Sequence, residues 1–161
     1  MSAPSAGWRG LWRRRVLEVT LAQLRQGITP QKIALTIALG FILGLFPILG
    51  TTTALCLAFG LFLKLNQPII QLVNWVAAPL QIPGIYCFVR VGEWLTHTAP
   101  ISFSITALML AFKASPIEFL KQYGTTGLRG VLAWLLIAPA IAALIYAVAL
   151  PILQRMRRRL H

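Results

Sequence analysis

"GLFPILGTTTAL" (residues 44–55) sits inside a run of 31 uncharged residues, Ile33 to Leu63, bounded by Lys32 and Lys64. Its proline, two glycines and three consecutive threonines interrupt a stretch that otherwise reads as membrane-spanning helix. Length decides how to read it. A straight helix of that run would measure about 46 Å, against a hydrocarbon core of about 30 Å. Two complete spans would need about 40 residues plus a turn. The run is too long for one ordinary span and too short for two. A helix of about 17 residues, a break at Pro47 to Gly50 and a second helix of about 14 residues fit the count. Such a pair is either a re-entrant hairpin or one span with an unwound centre.

The composition points the same way. Of the 161 residues, 58% are hydrophobic and 11% charged, whereas soluble domains carry about 25% charged residues. A mean hydropathy of +0.77 and several long uncharged runs predict an integral membrane protein. The net charge of +12 does not form a face that would suit nucleic acid. Ten of the fifteen Lys and Arg residues lie toward the two ends of the chain: Arg9, Arg13, Arg14, Arg15, Arg25 and Lys32 precede the first apolar run, and Arg155, Arg157, Arg158 and Arg159 follow the last. This is the flanking pattern of the positive-inside rule and of contact with anionic headgroups. Arg13, Arg14, Arg15, Arg157, Arg158 and Arg159 are the expected headgroup contacts, and both termini are expected on the cytoplasmic side, attached in the mature chain. There is no aspartate, and Cys56 and Cys87 both lie in apolar runs as small buried hydrophobes. No metal, cofactor or nucleic-acid site is expected.

Outward from the break, residues 1–29 read as a basic amphipathic segment. Within it residues 8–26 form an interfacial helix, its tryptophans at headgroup depth and its arginines snorkelling. Residues 30–153 make the membrane domain. Thr29–Pro30 starts the hairpin of 30–64, with threonine as N-cap and proline in the first turn. Residues 67–96 form a span broken at Pro79 and at Pro83–Gly84, with Pro68 in its first turn. A short apolar segment, 98–112, follows. Ser115, Pro116 and Glu118 then spell a capping box opening an interfacial helix over 113–129, which Gly124 ends. Residues 130–153 are the plain spanning helix, kinked at Pro139, and 154–161 are a basic cytoplasmic tail. The fold class is therefore all-α: an amphipathic N-terminal helix plus a compact bundle of proline/glycine-broken or re-entrant helices. Basic residues at both ends imply an even number of crossings, either four or two plus re-entrant segments.

Gly40, Gly44, Pro47, Gly50, Asn66, Trp75, Pro79, Pro83 and Tyr86 carry a resemblance. The stretch from Ala38 through Ile69, followed by "WVAAPLQIPGIY", is similar to the bacterial membrane proteins grouped as domain of unknown function 2062, over roughly residues 25–150. Ala78 stands where the family usually has an asparagine before the second proline. The resemblance implies an integral protein of the inner membrane and supplies no activity.

A helix broken inside lipid leaves backbone groups that cost several kcal/mol each unless protein or cavity water satisfies them. The hydroxyls of Thr51, Thr52 and Thr53 are placed to cap the second helix. Its N-terminus, a positive dipole end at membrane depth, could also receive an anion such as a lipid phosphate or carboxylate. Pro47, Gly50, Thr51, Thr52, Thr53, Asn66, Asn74 and Gln81 are the candidate anion or substrate residues. The amides, with Gln71, read first as bonds between helices, a common glue in membrane bundles. Arg90, Glu93 and His97 read as a solvated interfacial face. With no nucleophile–base pair, paired carboxylates or P-loop, an enzyme is not expected. The leading expectation is a small transporter or flippase-like protein for an anionic or lipid-linked substrate. The alternative is a noncatalytic membrane scaffold recruiting a partner through its basic ends. Membrane lipids are the expected partners, with a homodimer as a further one.

Overall fold

Thr29 has an extended backbone (φ −70°, ψ 143°), and its hydroxyl accepts the Lys32 N–H at 3.4 Å, opening α1, Pro30–Gly44. In this computed structural model, which describes residues 28–100 and 104–158, four more helices follow. They are α2, Thr52–Phe62; α3, Gln67–Leu95; α4, Ile105–Ala114; and α5, Pro116–Arg158. The described residues are all-helical, with no strand. The expected interfacial helix over 8–26, with Arg13, Arg14 and Arg15, and the tail residue Arg159 lie outside the described residues.

α1 ends by tightening into turns, Leu45 N–H to Ile42 O (3.2 Å) and Phe46 N–H to Leu43 O (3.1 Å), just before Pro47, which has no N–H to continue a ladder. The break occupies residues 45–51, with Gly50 at φ 83°, a left-handed conformation that glycine adopts without a Cβ penalty. α2 closes with Lys64 at φ 51° and a Leu65 N–H to Gly60 O bond of 2.8 Å, a Schellman-type reversal. Asn66 then caps α3, its Oδ1 accepting the Ile69 N–H at 3.0 Å, with Pro68 in the first turn.

Two expected punctuations are absent. α3 runs unbroken through Pro79 and Pro83, contrary to the broken span read for 67–96. The two prolines are four residues apart and both exposed, so the lost ladder bonds fall on one outer face while Ala77 and Gln81 stay buried opposite them. Packing on that inner face keeps the helix continuous, as proline allows in a helix with supporting neighbours. Gly124 likewise does not end a helix at the start of α5. The separate interfacial helix of 113–129 and the span of 130–153 are one helix of 43 residues. Gly50 alone among the described glycines has positive φ, so Gly124 lacks the C-cap conformation and costs only its helix propensity. Ser115 Oγ does accept the Glu118 N–H at 3.4 Å. The Ser115 N–H, however, bonds back to Ala111 O at 3.1 Å, so only half a capping box forms.

α1, α3 and α5 pack against one another, α2 lies along α3, and α4 packs on α5. α1 and α3 run parallel: Gly40 faces Ile70 and Val73, and Gly44 faces Asn74 and Ala77. A Cβ on Gly40 would stand 2.9 Å from Ile70 O, so the small residues at i and i+4 set how closely these backbones approach. α5 runs antiparallel to both. Trp134 meets Ile42, Gly92 faces the Arg129 backbone and Gly130 faces Val89. Ile33 and Leu153 share a core cluster, with Ile28 and Met156 packed on it. The first and last described segments therefore sit at the same end of the bundle. α3 and α5 are long and apolar enough to cross a membrane by length and composition, while α1 and α2 are shorter apolar helices.

Candidate functional site

Breaking the chain at Pro47 frees carbonyls, and three around the break can be followed to side-chain partners. Ile42 O, beyond its turn bond, accepts the indole Nε1–H of Trp134 at 3.1 Å in a buried contact. Phe46 O accepts Gln81 Nε2 at 3.2 Å. Ile48 O accepts the Thr51 hydroxyl at 2.9 Å. Pro47 itself is buried on the face that Gly130 leaves open. Phe46 stands edge-on to Trp134, ring centroids 5.0 Å apart. The break is thus held from two sides, by α3 through an amide and by α5 through an indole.

The seam between α2 and α3 continues that pattern. Gln71 Nε2 donates to Thr53 O (3.2 Å), Asn74 Nδ2 to Thr53 Oγ1 (3.4 Å) and Gln67 Nε2 to Leu57 O (3.2 Å). Residues 67, 71, 74 and 81 follow helical spacing, so their amides line one stripe of α3 facing the hairpin. Each spends its NH₂ on the hairpin. The carbonyl ends of Gln67 and Gln71 are buried without a partner, as is the Thr126 hydroxyl.

The threonines do not behave as expected. Thr51, the residue before α2, has helical angles (φ −95°, ψ −16°) and makes no side-chain cap bond. Its hydroxyl folds back to the carbonyl three residues earlier, the habit of Thr within helices rather than at an extended N-cap. Thr52 is buried, and the Thr53 hydroxyl is engaged by Asn74. Side-chain capping by this trio is therefore replaced by bonds that fasten the break.

Of the candidate residues, the structure brings Pro47, Gly50, Thr51, Thr52, Thr53, Asn74 and Gln81 to the hairpin tip and its seam. Asn66 is not with them: it stands at the other end of α2, about 16 Å away along the helix, as the cap of α3. Trp134 and Gly130 belong to the site and were missed. The available signal was that an indole buried in an apolar helix needs an acceptor for its N–H.

At the other end of α3, Glu93 is buried and its Oε2 meets Arg90 Nη1 at 2.8 Å. The Arg90 guanidinium lies 5.0 Å from the Tyr86 ring centroid. This corrects the reading of a solvated face, which holds only for the exposed His97. The carboxylate is drawn inward because Arg90 neutralises it where α3 meets α5. Arg157 and Arg158 are exposed in the last turn of α5.

The model of the family described as an uncharacterized protein conserved in bacteria (DUF2062) matches residues 13–161. No curated protein and no solved structure matches the chain.

Proposed function

We infer, from a chain that belongs to the DUF2062 family of bacterial proteins, an integral protein of the inner membrane. In this reading α3 and α5 cross the bilayer and α1–α2 form a re-entrant hairpin. Helices of 15 and 11 residues measure about 22 and 16 Å, each short of a core of about 30 Å. The shared end of the first and last described segments supports both termini on the cytoplasmic side, beside the basic residues.

The activity proposed is that of a small transporter or flippase-like protein for an anionic, lipid-linked group. The observation behind it is the start of α2. No side chain caps that end, and Gly50 beside it is exposed and has open space around its Cα. The first-turn N–H groups of a helix favour an anion at that place. The test is movement of fluorescent anionic lipid across vesicles containing the full chain. Thr51→Val with Thr52→Val is expected to reduce it at least severalfold. Unchanged movement in that double variant would remove the anion site.

A second reading, a noncatalytic scaffold, is favoured by one observation: Asn74 and Gln81 spend their amide donors on the hairpin rather than presenting them to a path. A stoichiometric partner recovered from membranes, and lost on deleting residues 1–26, would select the scaffold.

A further inference from the structure

Lys32 stands in the first turn of α1, a turn that contains no acidic residue. A cation is electrostatically misplaced there, because the N-terminus of a helix already carries about half a positive charge. The basic residues at the end of α5 are different: Arg155, Arg157 and Arg158 lie in a last turn, where the dipole favours them. The two helix ends adjoin, since Leu153 and Met156 pack with Ile28 and Ile33. The two acids among the described residues, Glu93 and Glu118, lie toward the opposite end, near the finish of α3 and the start of α5. No described carboxylate is therefore at hand to neutralise Lys32.

Beside Lys32 an open groove of about 350 Å³ runs between α1 and α5. Gln31 and Lys32 stand at one end, and Leu35, Ala38, Ala142 and Tyr146 extend along it. Its size falls at the lower end of ligand clefts, roughly 300–1,000 Å³. Alanines on both helices keep it open. It thus joins an apolar channel to a cation that no described carboxylate neutralises, a pairing that suits a molecule with an acyl chain and an anionic headgroup.

We propose that this groove holds one anionic phospholipid, an acyl chain against Leu35, Ala38 and Ala142 and the phosphate beside the Lys32 ammonium. The site rests on the membrane reading above but not on transport, and it lies at the opposite end of α1 from the break.

The test is native mass spectrometry of the full chain in mild detergent, titrated with phosphatidylglycerol or with phosphatidylcholine of the same chains. One phosphatidylglycerol is expected to remain bound per chain, in preference to phosphatidylcholine. Lys32→Gln is expected to weaken it about fivefold, the worth of one lysine at a charged surface, while Lys32→Arg restores it. Ala142→Leu, which fills the groove and keeps the charge, weakens it as well; an unchanged unfolding midpoint shows that this variant is folded. Lys121→Gln, at the other end, leaves it unchanged. Equal losses for Lys32→Gln and Lys121→Gln would mean diffuse charge only and would overturn the site. Full binding in Ala142→Leu would also overturn it, as would equal retention of the two lipids. The Thr51→Val, Thr52→Val variant separates the proposals: it should keep the lipid whether or not lipid movement survives.

Discussion

The carbonyl of Phe46 has one partner, the Gln81 amide, whereas the carbonyl of Thr53 lies within α2 and receives the Gln71 amide as an extra bond. The two glutamines therefore differ in consequence. Gln81→Leu orphans a backbone acceptor beside the break and should cost about 1–3 kcal/mol. Gln71→Leu, which leaves the α2 ladder intact, should cost less. Thermal unfolding in detergent reads the difference, and equal midpoints for the two variants would contradict the proposed division of labour. That the amides face a break was partly legible: their helical spacing puts them on one stripe, and a proline in an apolar run announces acceptors in need of donors. Trp134 was not legible as the third donor. Its link to Ile42 spans 92 residues, and no local pattern encodes a crossing at that distance.

Glycine and proline carry opposite meanings in different elements. Gly92 is where α3 meets α5, since a Cβ there would overlap the Arg129 carbonyl. Gly124 has only Leu120 Cγ within reach, at 3.9 Å. Gly92→Ala should therefore destabilise by about 1–3 kcal/mol through overpacking. Gly124→Ala should stabilise by about 0.5–1 kcal/mol through helix propensity. Opposite shifts in unfolding midpoint are the expected result, and shifts of the same sign would contradict the crossing. The same contrast explains which boundaries the sequence disclosed. Thr29 and Ser115, read as caps, accept N–H groups within their own first turns, and Pro68 marked a third start, where Asn66, read as a candidate anion residue, proves to be the cap. Pro79, Pro83 and Gly124 look like stops, but whether they stop a helix depends on what packs against it. The continuity of α3 and α5 is a tertiary outcome.

At the scale of the molecule, the chain's two thiols report the packing. Cys56 is fully buried in the core near the break, as read from its apolar run, whereas Cys87, read as buried too, is exposed on α3 because its position falls on the helix face turned away from α1 and α5. N-ethylmaleimide should modify Cys87 in the detergent-solubilised chain and reach Cys56 only on unfolding; early modification of Cys56 would mean that α2 does not stay seated. The all-helical class, two helices long and apolar enough to cross a membrane, and the two short arms on either side of Pro47 could be read from length and composition alone, because the uncharged run is too long for one ordinary span and too short for two. The handedness of contacts among α1, α3 and α5 could not, since it depends on which small residues face which. The split support of the break also sets an order of assembly. Gln81 lies 35 residues beyond Phe46, and Trp134 lies 92 residues beyond Ile42, so during synthesis the hairpin emerges well before either donor. A nascent chain arrested short of residue 134 has α1, α2 and α3 in hand and no indole for Ile42. The hairpin can take its amide bonds from α3 first, and it gains the Trp134 bond to Ile42 O only once α5 has been made: the last long helix adds the final fastening to the first.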